Sequence, residues 1–292
     1  MKTQILALAL LFSLFGTHTK AQTEQINLSV PDYIRPLAEQ WAADYNALHN
    51  NITFQFVSAK NTDNANSISV STDEDAVFFA RVAVLAVTAK DSPAEYLVKS
   101  QRFNKKKLKR LFFLDEEDEE RKSAATEKLH IYYGGSTRSL SRFYAQQFEE
   151  EPTAYRGKKV AGDDRYLTEA VRRDPFGITF NALSNIADTR TRHLKEELAL
   201  VPLDLDKQSR QILDSGQLDD IIRLLEQQRI DGIPVAKVGL SYDHRNPQLN
   251  SFVRWILTDG TAGVHNFGLL QLSQQELTAQ QHRLDPAELA QN

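Results

Sequence analysis

The run Gly134-Gly135-Ser136-Thr137-Arg138-Ser139 gathers two glycines, three hydroxyls and one guanidinium within six residues. It precedes apolar residues at helical spacing, Leu140, Phe143, Tyr144 and Phe148, and so reads as the start of a helix. The first N–H groups of a helix have no intrahelical partner and lie at the positive end of its dipole. Together with hydroxyls they can replace the water around a tetrahedral oxyanion. Arg138 adds a charge able to grip two oxygens at once. The same residues have a plainer use, because Ser136 or Thr137 can simply cap the helix. Both readings stand at this level.

A second candidate is Asp73, which follows Ser71 and Thr72. A carboxylate beside a bound oxyanion is tolerable only with a proton between them, and hydrogen phosphate carries such a proton where sulfate does not. The alternative is that Asp73-Glu74-Asp75 is an ordinary solvated turn. Other chemistries find no support. The chain has no cysteine, and His49, His130, His193, His244, His265 and His282 show no ligand-like spacing, so no metal and no cofactor is expected. Gly-x-Ser-x-Gly, Walker and dinucleotide-binding glycine patterns are absent, so the expectation is that the chain is not an enzyme. With 35 basic and 39 acidic residues the net charge is −4, which gives no electrostatic case for a nucleic-acid partner.

The elements that must position these residues begin after an export signal. Lys2 precedes an apolar run from Ile5 to Phe15, and Thr19 and Ala21 have the spacing a signal peptidase needs. The run is about half of the roughly 20 residues a membrane helix requires, and no later stretch is longer, so no integral membrane segment is expected. The absence of cysteine excludes a lipidated amino terminus. Residues 1–21 are thus expected to be a signal peptide cleaved near Ala21, leaving a periplasmic chain of net charge −6 once Lys2 and Lys20 are removed.

Ile26, Leu28 and Val30 alternate as in a strand, and Asp32 can cap a helix carrying Ile34, Leu37, Ala38, Trp41, Tyr45 and Leu48 on one side. Pro36 is tolerated there because it lies in the first turn. Ile52, Phe54 and Phe56 alternate again, completing a strand–helix–strand unit typical of a parallel sheet. A short strand over residues 68–70 and a nearly continuous apolar run from Val77 to Val87 follow, the latter reading as a strand buried on both faces. Beyond a basic helix after Asn104 lie strands around residues 129–133 and 178–180 and an amphipathic helix bearing Leu218, Ile221, Ile222 and Leu225. Ile233 to Ser241 reads as a returning strand, and Asn246-Pro247 opens a helix with Leu249, Phe252, Val253, Ile256 and Leu257 on one face. The basic run at Lys105, Lys106, Lys107, Lys109 and Arg110, followed by Asp115 to Glu120, reads as a solvated helix face and an acidic loop, with a partner-docking surface as the alternative.

This order of elements, together with four phrases, resembles the periplasmic phosphate-binding proteins of ABC importers, a branch of the class II substrate-binding proteins. Ser29-Val30-Pro31-Asp32-Tyr33-Ile34-Arg35-Pro36-Leu37, running on to Trp41 and Tyr45, is similar to the family's opening loop and helix. Ser69-Val70-Ser71-Thr72-Asp73 is similar to its small-Ser-Asp turn, and Gly134 to Ser139 to its Gly-Ser-Gly-Thr helix start. The segment from Phe252-Val253-Arg254-Trp255-Ile256-Leu257 through Asp259-Gly260 to Phe267-Gly268-Leu269-Leu270-Gln271-Leu272 is similar to its closing helices and is the most specific of the four. The chain departs from the family in lacking the glycine-rich first loop, in carrying Ser58-Ala59-Lys60-Asn61 where a Ser-Gly-Gly segment belongs, and in having Arg138 in place of a glycine.

The resemblance implies an α/β, two-lobed class II periplasmic-binding-protein fold, each lobe a mostly parallel sheet flanked by helices and joined by a two-segment hinge. The expected division is 22–86 plus 236–292 for one lobe and 87–235 for the other, with crossovers at Val77 to Val87 and at Ile233 to Ser241. It implies binding of a small oxyanion, phosphate first, between the lobes by Ser136, Thr137, Arg138, Ser139, Asp73, Ser71, Ser29 and Tyr33. It further implies a monomer that delivers its ligand to an ABC permease. The alternative is that the missing glycine loops mark a binding-protein-like fold whose ligand site is lost, leaving an envelope interaction or scaffold protein.

Overall fold

The computed structural model describes residues 24–58, 65–114, 126–136 and 139–284. The expected signal peptide, the acidic run Asp115 to Glu120, and both Thr137 and Arg138 lie outside the described residues.

In chain order the elements are β1 (Glu24–Ser29), α1 (Arg35–Leu48), β2 (Ile52–Phe56), β3 (Ser67–Ser71), β4 (Val77–Ala89), α2 (Pro93–Lys99) and α3 (Lys105–Phe112). Next come β5 (His130–Gly134), α4 (Ser141–Gln147), β6 (Lys158–Val160), α5 (Arg165–Arg173), β7 (Gly177–Ala182), α6 (Leu183–Ile186), β8 (Ala187–Asp188), β9 (His193–Leu194) and β10 (Leu198–Leu200). The chain closes with α7 (Lys207–Ser215), α8 (Leu218–Gln227), β11 (Val235–Tyr242), α9 (Pro247–Trp255) and α10 (Gln274–His282).

The alternation in β1 and β2 does what it predicts: the two strands pair in parallel, Ile26 opposite Phe54 and Leu28 opposite Phe56, with α1 as the crossover. β3 adds in parallel on the other side of β1, Ser29 opposite Ser69. The sheet runs β2-β1-β3-β11-β4-β7-β5-β6, with β10 paired to β4. β4 ties its two halves together. Residues 77–83 pair with β11, residues 84–88 pair with β7, and the register of β11 shifts between Val238 and Gly239. Seven consecutive residues in β4, Val82 to Thr88, are buried, as an apolar run covered on both faces requires. The second half continues in parallel from β7 to β5 and β6.

Helices cover both halves and share one apolar core. Around α1, Trp41 meets Phe79 edge-on at 4.8 Å and donates its indole N–H to the Gly260 carbonyl at 2.8 Å. A Cβ on Gly260 would lie 2.8 Å from that nitrogen, so the glycine is needed for the approach. In the other half Tyr144 stacks on Phe180 with centroids 3.9 Å apart. Asn246 caps α9, its Oδ1 accepting from the N–H groups of Gln248 and Leu249, and α9 continues as a π-helical turn over Ile256–Gly260. Near the end of the described chain, the Gln280 side chain accepts from the N–H of Phe78 at 3.0 Å, holding α10 on β4.

Two expected helix starts are corrected. Asp32 does not cap α1: the N-cap residue is Ile34, without a side-chain bond, and the N–H of Arg35 goes instead to the carbonyls of Pro31 and Asp32. The helix after Gly134 begins not at Ser136 to Ser139 but at Ser141, with Leu140 at the cap position and no side-chain cap of its own. Among the described residues no helix is long and apolar enough to cross a membrane.

Candidate functional site

Three strand ends converge. β1 ends in Ser29 and turns through Pro31, Asp32 and Tyr33 into α1; β5 ends in Gly134 and turns through Ser136 and Ser139 into α4; β6 ends in Val160 and turns through Gly162, Asp163 and Asp164 into α5. Each is the carboxyl end of a parallel strand, where ligands of open α/β sheets bind. Pro31, Asp32 and Tyr33 face Ser136, Ser139, Asp163 and Asp164 across a pocket of about 10 Å3. That is the room one water needs. A tetrahedral oxyanion requires these walls to separate.

The turn between β5 and α4 is braced from within. The N–H of Gly134 donates to Ser141 Oγ at 2.8 Å, the N–H of Ser141 donates to Ser139 Oγ at 3.1 Å, and the two hydroxyls lie 2.9 Å apart. The N–H of Leu140 donates to Oδ2 of Asp164 at 2.9 Å. Asp164 thus holds the cap position of α5 yet makes no cap bond to its own helix. Its carboxylate serves the neighbouring turn instead, and its carbonyl accepts from Asn181 Nδ2 at 2.6 Å. Gly134 permits this arrangement, since a Cβ there would run into Ser139 Oγ and come within 2.7 Å of Asp164 Oδ1.

The electrostatics are those of crowded carboxylates. Asp164 is 5% exposed, and burial raises its pKa from 3.8 to about 6, opposed by the Ser139 hydroxyl and the Leu140 N–H that hold its charged form. Burial also raises Asp32, and the neighbouring charge of Asp163 adds to the rise. Arg165 opposes this from across the gap, its Nε 3.1 Å from Asp32 Oδ2. Tyr33 is buried, and both burial and the charge of Asp164 push its phenol up. Among the described residues no cluster of acidic or histidine side chains is arranged to hold a metal.

Of the residues singled out from the sequence, Tyr33, Ser136 and Ser139 line this pocket. Ser29 is buried at the end of β1, one residue before the turn begins. Ser71 and Asp73 bond to each other, the serine hydroxyl donating to Asp73 Oδ2 at 2.6 Å and accepting the Asp73 N–H at 2.9 Å, and neither lines the pocket. Asp163 and Asp164 were missed by sequence reasoning. The available signal was Gly162-Asp163-Asp164 directly ahead of an amphipathic stretch bearing Leu167 and Val171, the composition of a strand-to-helix turn.

Comparison with solved structures decides the architecture. The chain is similar to a Clostridium perfringens ABC transporter substrate-binding protein solved with bound phosphate, at 11% identity and a TM-score of 0.55 over 86% of this chain and 100% of that one. It is similar to a possible phosphate binding protein from Planctomyces limnophilus, at 10% identity and a TM-score of 0.52 over 91% and 99% of the two chains. An ABC-type phosphate transport receptor from Vibrio cholerae gives 11% identity and a TM-score of 0.50 over 85% and 100%. The chain has the class II periplasmic-binding-protein fold. No family model and no curated protein matches the sequence. Within this two-lobed fold the pocket lies where the first-half turn after β1 meets the second-half turns after β5 and β6.

Proposed function

We propose that the protein is an exported solute-binding protein that closes two lobes on a small proton-bearing oxyanion, phosphate first among candidates, and presents the closed form to an ABC permease. The role is binding rather than catalysis, by a monomer. The observation that carries the reading is the meeting of the β1–α1, β5–α4 and β6–α5 turns around one pocket in a binding-protein fold. The division of β4 between two sets of partners supports lobes of 22–86 plus 236–292 and 87–235, with β4 and β11 as the crossovers. The apolar run Ile5 to Phe15 supports export to the periplasm. Ser136, Thr137, Arg138 and Ser139 would bind from one lobe, Ser29 and Tyr33 from the other. Ser71 and Asp73 would join them from the end of β3, which runs parallel to β1 at its side. Carboxylates around the pocket favour a ligand that brings its own proton, hydrogen phosphate over sulfate. A panel of oxyanions in a thermal-shift assay tests this: phosphate should raise the melting temperature more than sulfate does, and equal inertness of all oxyanions would count against it.

One feature favours a second reading. The Leu140 N–H is already occupied by the chain's own Asp164 carboxylate, and the pocket holds one water's volume. A fold that fills its anion position internally would suit an envelope scaffold protein. The same assay separates the two, since a scaffold responds to none of the anions.

A further inference from the structure

Asp32 and Arg165 reach across the pocket from opposite halves of the sheet. Asp32 belongs to the turn after β1, in the half made of β1, β2 and β3; Arg165 is the first residue of α5, which packs on β5, β7 and β4. Their Oδ2 and Nε atoms are 3.1 Å apart.

Each side chain is held on its own side in a way that leaves it aimed at the other. The Arg165 guanidinium donates to the Tyr166 hydroxyl at 3.1 Å and lies 5.0 Å from that ring's centroid. Gly162, at φ +95°, makes room for the ring: a Cβ there would come within 2.9 Å of it. On the opposite side Arg35 is the other cation acting on Asp32, but it is bonded to Glu39 at 2.7 Å and lies over the Phe56 ring at 4.1 Å, so it stays with its own half. Arg165 is therefore the cation that reaches Asp32 from the facing half.

We propose that Asp32 and Arg165 form an interlobe clasp that sets the balance between open and closed forms, and so tunes affinity without touching ligand. This rests on the two-lobed binding reading. In the form in which the pair meets, the pocket has room for one water only, so the pair favours a ligand-free closed form, and apparent affinity falls by up to the factor by which the pair shifts the open-to-closed balance. Arg165 is well exposed, so the effect is that of a solvent-screened ion pair, about two- to fivefold in the open-to-closed ratio.

The chain contains no cysteine, so cysteines introduced at two exposed positions, Ala47→Cys on α1 and Arg173→Cys on α5, give a clean pair of spin labels. Distance distributions by pulsed electron resonance are recorded without ligand for this background, for Arg165→Ala, for Asp32→Asn, and for the swap Asp32→Arg with Arg165→Asp. Each single change should raise the long-distance population about two- to fivefold relative to the short one, and the swap should return it toward the background. An unchanged distribution in both single variants, or a swap that restores nothing, overturns the clasp. Arg165→Gln and the background protein in about 1 M salt provide independent readouts, both expected to resemble Arg165→Ala. Adding inorganic phosphate separates the two claims. A distribution that responds to the clasp variants but never to phosphate supports the clasp and counts against phosphate binding, whereas one that responds only to phosphate does the reverse.

Discussion

The N–H of Leu140 donates to Oδ2 of Asp164 at 2.9 Å, joining two strand-to-helix turns that lie 24 residues apart in sequence. A buried carboxylate here satisfies a backbone donor that no side chain of its own turn reaches. It also places a titratable group beside the turn where the sequence suggests a bound anion.

The fold raises the pKa of Asp164 from 3.8 to about 6, so its neutral form is the one the fold favours. The stability this contributes is complete below pH 3.8 and is lost as pH rises through about 6. A change of that size in a buried carboxyl corresponds to about 3 kcal/mol. Asp164→Asn keeps an oxygen for the Leu140 N–H and removes the charge. The variant should therefore melt higher than the native protein at pH 8 and show a flatter dependence on pH between 4 and 6. Thermal denaturation across that range by circular dichroism checks the slope; the same slope in both proteins would show that Asp164 is not its source.

Gly134→Ala should destabilise the fold by about 1 to 3 kcal/mol, because the added methyl has no space between Ser139 Oγ and Asp164 Oδ1. Urea denaturation measures the loss. Gly263→Ala is the control, since a Cβ there would meet no atom closer than 3.6 Å.

Arg138→Ala should weaken phosphate binding by about 2 to 5 kcal/mol, the cost of losing a charge-assisted contact to a buried anion. Ligand-free stability should barely change, because a residue kept for packing would show the opposite pattern. Asp73→Asn is the companion: an amide donates where a carboxylate only accepts, so sulfate should gain relative to phosphate. Competition between the two anions, measured on each variant, reads both effects.

Much of the scaffold was legible in the sequence, for local reasons. The alternation of Ile26, Leu28, Phe54 and Phe56 specifies two half-buried strands, and the parallel pairing follows from the helix between them. The nearly continuous apolar run through Val77 to Val87, broken only by Arg81, announces a strand covered on both faces, and Asn246-Pro247 supplies its own cap and first turn. The pocket was less legible because its bonds are long-range. Asp32 has the sequence context of a helix cap, but its ion-pair partner Arg165 is remote in the chain. The start of α4 slipped to Ser141 because the closely spaced Ser136, Thr137, Ser139 and Ser141 offer equivalent caps locally, and the group that binds the Leu140 N–H comes from another turn altogether.

The most direct measurement is isothermal titration of inorganic phosphate into a chain of residues 22–292 at pH 7. A saturable heat with one site per chain, sharply reduced in Arg138→Ala, is the expected result. A folded protein that gives no heat with phosphate, sulfate or any other small oxyanion would contradict solute binding and leave the scaffold reading in its place.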